Sequence, residues 1–230
     1  MENVKKYQIL DGTMLKIIAM VSMVFDHVGD LFLPGVMWLR MIGRLAMPLF
    51  SFCIAEGYAH TRDKSRYLLR MGIFVLISEV PFDLAFEGKV GFGHQNIMLT
   101  FVLSIAALML YDLIAGEGQR KVWRIALGTL AVAATAGLAL LLTADYTVFA
   151  VIAVFLFYVL RRRHPLVRSG VGVGFLALTR TMGYYCTTGF SLIPLLLYNG
   201  KRGRGLKWLF YAFYPGHLLV LFVLKKLLAG

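Results

Sequence analysis

Charge is scarce in this chain. Asp, Glu, Lys and Arg make up 16% of its 230 residues, where a soluble domain carries about 25%. Acids are scarcer still, 12 against 24 Lys and Arg. Cysteine is limited to Cys53 and Cys186, each within an apolar stretch. That count excludes a disulfide-stapled scaffold, and both thiols read as buried space-fillers. No Cys-x-x-Cys occurs and the five histidines are scattered, so no metal site is expected. Low-complexity tracts and obvious internal repeats are missing too, and residues 1–230 read as a single domain.

What fills the chain is hydrophobic residue, 59% of the total. The fold class this implies is all-α, a polytopic helical membrane protein. Lys5 and Lys6 precede an apolar stretch too long for a signal-peptide core, with no small-residue cleavage site after it. A retained first span is therefore expected. Nine apolar segments can be drawn, at 13–32, 36–59, 67–86, 97–115, 123–142, 146–160, 166–180, 184–198 and 206–228. Eight is the alternative, if 166–198 crosses once. Alternate loops are basic: Arg62, Lys64 and Arg66; then Arg120, Lys121 and Arg124; then Arg161–Arg163 and Arg168; then Lys201, Arg202, Arg204 and Lys207. The positive-inside rule puts these loops and the N-terminus in the cytoplasm. The net charge of +12 thus reports topology, and nucleic acid is not an expected partner.

Ionisable groups inside an apolar helix are costly and mark functional sites by default. The first span carries Lys16, Asp26, His27 and Asp30. Eleven helical steps from Lys16 to His27 make three turns plus about 20°, so the two share a face about 16 Å apart along the axis. Toward the outer half lie Asp26, His27, Asp30, Arg40, Arg44, Glu79, Asp83, Asp145 and Arg180, with His94, Gln95 and Asn96 opening the fourth span. Toward the inner side lie Lys16, Glu56, His60, Arg62, Asn199, Lys201 and Arg202, and His217 falls near mid-depth.

Each has a structural reading beside a chemical one. Arg40 snorkels outward. Glu79 or Asp83 either partners Arg44 or serves a site. His94 and His217 read as satisfied interior groups, His60 as surface. Lys16 either snorkels to the cytoplasmic interface or binds a ligand. His27 reads as chemical, since neutral imidazole accepts a proton from an attacking amine or hydroxyl near neutral pH. Pro48 is expected to kink the second span and Pro81 the third. Tyr198-Asn199-Gly200-Lys201-Arg202-Gly203 reads as a cationic cytoplasmic turn able to hold phosphate.

Several runs together resemble one family. Leu10-Asp11-Gly12-Thr13 through Asp26-His27-Val28-Gly29 resembles the opening of the TraX family. So do Gly43-Arg44 through Glu56-Gly57-Tyr58, and Ile77-Ser78-Glu79-Val80-Pro81-Phe82-Asp83-Leu84. Ala144-Asp145-Tyr146, the Tyr198–Gly203 run and Phe213-Tyr214-Pro215-Gly216-His217 match as well, in order, over nearly the whole chain. The family is named for a conjugation protein that acetylates the N-terminus of F-type pilin. It is similar in plan to the acyltransferase-3 family, whose early span carries an arginine, ten residues and a histidine. Lys16 and His27 occupy those positions; lysine keeps the charge and loses the bidentate fork.

The resemblance implies a transmembrane acyltransferase of the bacterial inner membrane. Acetyl-CoA or another acyl-CoA would present its anionic end to Lys16, Arg62, Asn199, Lys201 and Arg202. His27 would act as base on an amine or hydroxyl of an extracytoplasmic protein N-terminus or glycan. Asp26, Glu79 or Asp83 would tune His27, and Arg44 or Asn96 would steady the oxyanion. Membrane lipid is the remaining partner. Two rivals stand beside this reading: a proton-coupled transporter, and a non-catalytic partner in pilus or secretion assembly.

Overall fold

In the computed structural model, which describes residues 8–116, 121–179 and 183–229, Asp11 starts the first helix. Its carboxylate accepts from the backbone N–H groups of Thr13 and Met14 at 2.8 and 2.9 Å, a cap worth about 1 kcal/mol. Lys5, Lys6, Arg120 and Arg180 lie outside the described residues, as do the side chains of 183–186, Cys186 among them. Helix α1 runs Gly12–Leu31. It is followed by α2 Met37–Gly43, α3 Ala46–His60, α4 Lys64–Phe86, α5 Ile97–Ala115 and α6 Val122–Leu141. Then come α7 Thr147–Val159, α8 Pro165–Thr179, a 3-10 stretch Gly183–Ser191, α9 Leu192–Leu196 and α10 Lys207–Ala229. Among the described residues the only β pairings are two isolated bridges. The all-helical expectation holds.

Helix α3 is the axis of the bundle. It packs against α1, α5, α7 and α8 and buries residues on every face, Leu49, Phe52 and Tyr58 almost completely. Phe52 meets the edges of Phe157 in α7 and Tyr198. Helix α10 closes the bundle by lying on α4 and α1, so the first and last helices touch. The outward faces stay apolar: Leu76 of α4, Leu113 of α5, Leu141 of α6 and Leu178 of α8 are 76%, 76%, 81% and 74% exposed.

The apolar segments reappear as helices, but four of them have the length and apolarity of a membrane span. These are Met37–His60 (α2 and α3 together), Ile97–Ala115, Val122–Leu141 and Lys207–Leu228. Helices α7 and α8, at 13 and 15 residues, are short of the roughly 20 that a straight crossing takes. The segment expected at 184–198 is 3-10 helix for most of its length. Pro48 does not kink a continuous helix. The chain breaks earlier, at Arg44–Leu45, and Pro48 then sits in the first turn of α3, where its missing N–H costs nothing. Pro81 does lie inside its helix, and α4 continues past it to Phe86.

Two loop systems hold the ends. At one end the start of α1 is sewn to the 197–204 turn. Leu10 N–H donates to the Leu197 carbonyl, Asn199 N–H to Leu10, Gly12 N–H to Lys201, and the Thr13 hydroxyl to Arg204. Gly203, at φ +74°, leaves no room for a Cβ beside Asp11 and Thr13. At the other end Gln95 and Ala144 bridge, and Asp145 N–H donates to the Gln95 carbonyl at 3.0 Å. Thr143, Tyr146 and Thr147 all adopt positive φ in this second turn. Such conformations cost about 1–3 kcal/mol each and persist only where surroundings impose them.

Candidate active site

A cavity of about 820 Å³ runs between α1, α3, α4 and α10, within the range of small-molecule sites. Its wall changes character along its length. At the α1 N-terminal end it carries six cations: Lys16, Arg62, Arg66, Arg70, Arg202 and Lys207. Two carboxylates also lie there, but Glu56 is engaged by Arg168 at 2.9 Å and Asp63 by Arg66 at 2.9 Å. Among the described residues, Lys16, Arg62, Arg70, Arg202 and Lys207 have no carboxylate partner. The Nε of Arg70 is buried with no hydrogen-bond partner. Lys16 does not snorkel away; its Nζ lies 4.9 Å from the centroid of the Phe210 ring across the cavity.

The middle of the wall is apolar and deformable, with Met20, Met23, Met47, Met71 and Met98 beside Phe50 and Phe101. Methionine and aromatic side chains accommodate a flexible chain without demanding one shape. At the far end stand Asp26, His27, Asp145 and Tyr146. The helical rise sets Lys16 and His27 about 16 Å apart along α1, and both reach the same cavity, as their spacing predicts.

His27 is held by neighbours that its own helix does not supply. Its Nδ1 lies 2.9 Å from Nε2 of His217 in α10, and the edge of its ring meets Phe86 of α4. Asp26 turns toward α2 instead. Its carboxylate receives Arg44 at 2.8 Å and Arg40 at 3.3 Å, and Arg40 also reaches Asp30 at 3.1 Å. Arg40 is therefore an ion-pair partner and not a snorkelling cation. A Cβ on Gly43 would overlap the Asp26 side chain, so the absence of a side chain there lets α2 approach close enough to form the pair.

Other expected site residues sit away from the cavity. Arg44 is 5% exposed and donates to Asp26, to the Arg40 carbonyl at 3.3 Å and to the Tyr146 hydroxyl at 3.4 Å. Its partner is Asp26, not Glu79 or Asp83. Glu79 and Asn96 bond each other, and Asn96 also caps α5 through Met98 N–H. Asp83 is buried and accepts from Gly91 N–H at 2.8 Å, holding the loop after α4. Asn199 spends its side-chain oxygen on Lys201 N–H, and the backbone of that turn is committed to α1. Of this turn, Tyr198, Gly200 and Arg202 reach the wall, and the expected ligands Asn199 and Lys201 do not.

Three wall cations, Arg66, Arg70 and Lys207, and the partner His217 were not expected at the site. Arg66 and Arg70 are four apart, hence on one face of α4. That spacing was the available signal: Arg66 was read as part of a basic loop, and Arg70, inside the expected 67–86 span, was passed over. Among the described residues no group of His, Cys, Asp and Glu is arranged to hold a metal, and Cys53 is a buried free thiol.

The chain has relatives among known proteins. It is similar to the probable fimbrial assembly protein FimC, serogroup H1, of Dichelobacter nodosus, at 28% identity over 93% of this chain and 95% of that protein. It is also similar to an uncharacterized protein of Rickettsia prowazekii, at 33% identity over 44% of this chain and 36% of that one. No solved structure matches. The family model described as TraX protein matches residues 11–225. That interval begins at the cap of α1, ends within α10 and contains every residue on the cavity wall. On that match, the chain belongs to the TraX family.

Proposed function

We propose that this protein is a multi-pass acyltransferase of the bacterial inner membrane. It moves an acetyl or other acyl group from cytoplasmic acyl-CoA to an amine or hydroxyl on an extracytoplasmic acceptor. The observation that carries this reading is the single cavity joining a cluster of unpaired cations to His27, three helical turns away along α1. Membrane embedding is supported by the outward leucines and the apolar helices, and the inward N-terminus by the basic loops gathered at the cationic end.

The wall divides the work. Lys16, Arg62, Arg70 and Arg202 bind the phosphates of the donor, guanidinium forks giving paired hydrogen bonds where geometry allows. The Met and Phe lining takes the pantetheine arm and excludes water around the thioester. His27 removes the proton of the acceptor as its nitrogen or oxygen attacks the acyl carbon. The new C–N or C–O bond forms, the C–S bond breaks, and the proton held by His27 passes to the departing thiolate. Asp26 is neutralised by Arg44 and Arg40; it holds α2 against α1 beside His27 and does not act on the base by charge. The acceptor is a protein N-terminus or a glycan hydroxyl.

Purified protein in lipid nanodiscs, given acyl-labelled acyl-CoA and candidate acceptors, is the test. His27→Ala should remove transfer while the protein still purifies in its native oligomeric form. Full turnover by His27→Ala sinks the assignment of the base. A second reading has one supporting observation, the printed name of the Dichelobacter relative: the chain would be a non-catalytic partner in fimbrial assembly. In that case His27→Ala leaves assembly intact and no acyl-CoA is consumed.

A further inference from the structure

His27, on the cavity wall, and its partner His217 come from opposite ends of the chain, 190 residues apart. Their rings lie 14° from coplanar with centroids 5.1 Å apart. With a nitrogen–nitrogen distance of 2.9 Å, that describes an end-to-end hydrogen bond and not a face-to-face stack. The second nitrogen of His217, Nδ1, is 2.9 Å from the carbonyl oxygen of Phe213, one turn earlier in α10.

A carbonyl only accepts, so Nδ1 of His217 carries a hydrogen. In the neutral ring Nε2 is then bare and must accept. The group facing it, Nδ1 of His27, therefore donates. That leaves Nε2 of His27 as the bare, basic nitrogen of a residue on the cavity wall. One carbonyl thus sets the tautomer of two rings in sequence. Imidazole in water favours the opposite form, with hydrogen on Nε2, so His27 without its partner would present an N–H where a base is needed. Phe213 stacks on His217, with centroids 4.6 Å apart and planes 6° apart, and Phe86 meets the edge of His27. Both rings are thereby kept from rotating out of line.

We infer that His217 is a positioning residue for the general base: through the Phe213 carbonyl it holds His27 in the tautomer whose Nε2 takes the acceptor's proton. It does for His27 what an acid does in a Ser-His-Asp triad, orienting the ring and fixing its tautomer, but with a neutral group. This rests on the acyltransferase reading for its consequence, and on the geometry alone for the tautomer. During transfer the acceptor proton arrives at Nε2 of His27. The imidazolium then keeps its Nδ1–H on His217 Nε2 until the thiolate leaves and takes the proton from Nε2.

The test has two independent arms. Nitrogen-15 NMR of histidine-labelled protein, assigned with His27→Ala, reads which ring nitrogens are protonated. Wild type should show His27 with a protonated Nδ1 and a bare Nε2, and His217→Phe should lose that preference. The opposite tautomer in wild type, or no change in His217→Phe, overturns the inference whatever the protein catalyses. In the kinetic arm, His217→Phe should lower kcat about 100-fold, the usual scale of general-base assistance, with little change in KM for acyl-CoA. His217→Gln keeps an oxygen able to accept from Nδ1 of His27 and should recover most of the rate. Equal loss in both variants means His217 serves packing or another role, and the inference fails. If wild type transfers no acyl group from any acyl-CoA, the functional reading falls, while the NMR arm still decides the tautomer.

Discussion

Arg70 carries a charged group whose Nε is buried without a partner, and an unsatisfied polar group of that kind costs about 1–3 kcal/mol. It faces a cavity with four other cations that lack carboxylate partners, so an anion entering there relieves a standing penalty. Arg70→Ala should weaken binding of CoA about 10- to 100-fold, the range of a charge-assisted hydrogen bond, without lowering the melting temperature of the ligand-free protein. Calorimetric titration with CoA checks the affinity and a thermal scan of the ligand-free protein the stability; unchanged affinity would falsify the phosphate role. Residues of this kind were only partly legible beforehand. Lys16 and His27 could be paired from helical period alone, because both lie on one helix. Arg66 and Arg70 obey the same period, but Arg66 had a sufficient explanation as a loop cation, and Arg70, one turn inside the expected span, was overlooked. The Asp26–Arg44 pair and the His27–His217 pair join different helices, and no local pattern encodes which helices meet.

At the level of elements, the α1–α2 contact depends on missing side chains. Gly43 lies against Asp26, and a Cβ on Gly29 would come within 2.9 Å of Leu39 Cβ and 3.2 Å of Arg40 Cδ. Gly43→Ala pushes α2 off Asp26. It should cost about 1–3 kcal/mol by overpacking, seen as a lower unfolding midpoint, and should reduce transfer by displacing the Asp26–Arg44 pair. Gly35, with open space around it, is the control: Gly35→Ala should leave both measurements unchanged. The helical segments themselves were legible, since long apolar runs bounded by basic loops leave few alternatives. The break at Arg44–Leu45 was not. Proline at 48 drew attention to a kink, but the interruption falls just before it, so the proline begins a helix instead of bending one.

Over the whole molecule, charge and apolar surface are segregated. Basic turns gather at the Lys16 end, and the 87–96 and 142–146 turns pair at the other. This makes a topological prediction that does not depend on counting spans. In cells carrying Cys53→Ala and Cys186→Ala, a membrane-impermeant maleimide added from outside should label Phe92→Cys and spare Arg162→Cys. Both native positions are exposed side chains. Labelling of both sites from outside overturns the orientation. The expected segments are helical, but 36–59 is two helices, 184–198 is largely 3-10, and helix length and composition support four spans. Of the short helices, α7 packs against α3, α5, α6 and α8, and α8 against α7, the 3-10 stretch and α9, so their hydrophobicity serves the interior as well as any lipid, and sequence does not separate the two uses.

The contact of α1 with the 197–204 turn and with α10 also sets an order of events during synthesis. His27 emerges early from the ribosome, and its partner His217 follows 190 residues later. Until the 197–204 turn and α10 are made, α1 has neither the turn that pins its first residues nor the ring that hydrogen-bonds its histidine. A chain stopped before His217 leaves Nδ1 of His27 without that partner. On the proposed reaction, His27 would be set as a base only once α10 has packed on α1.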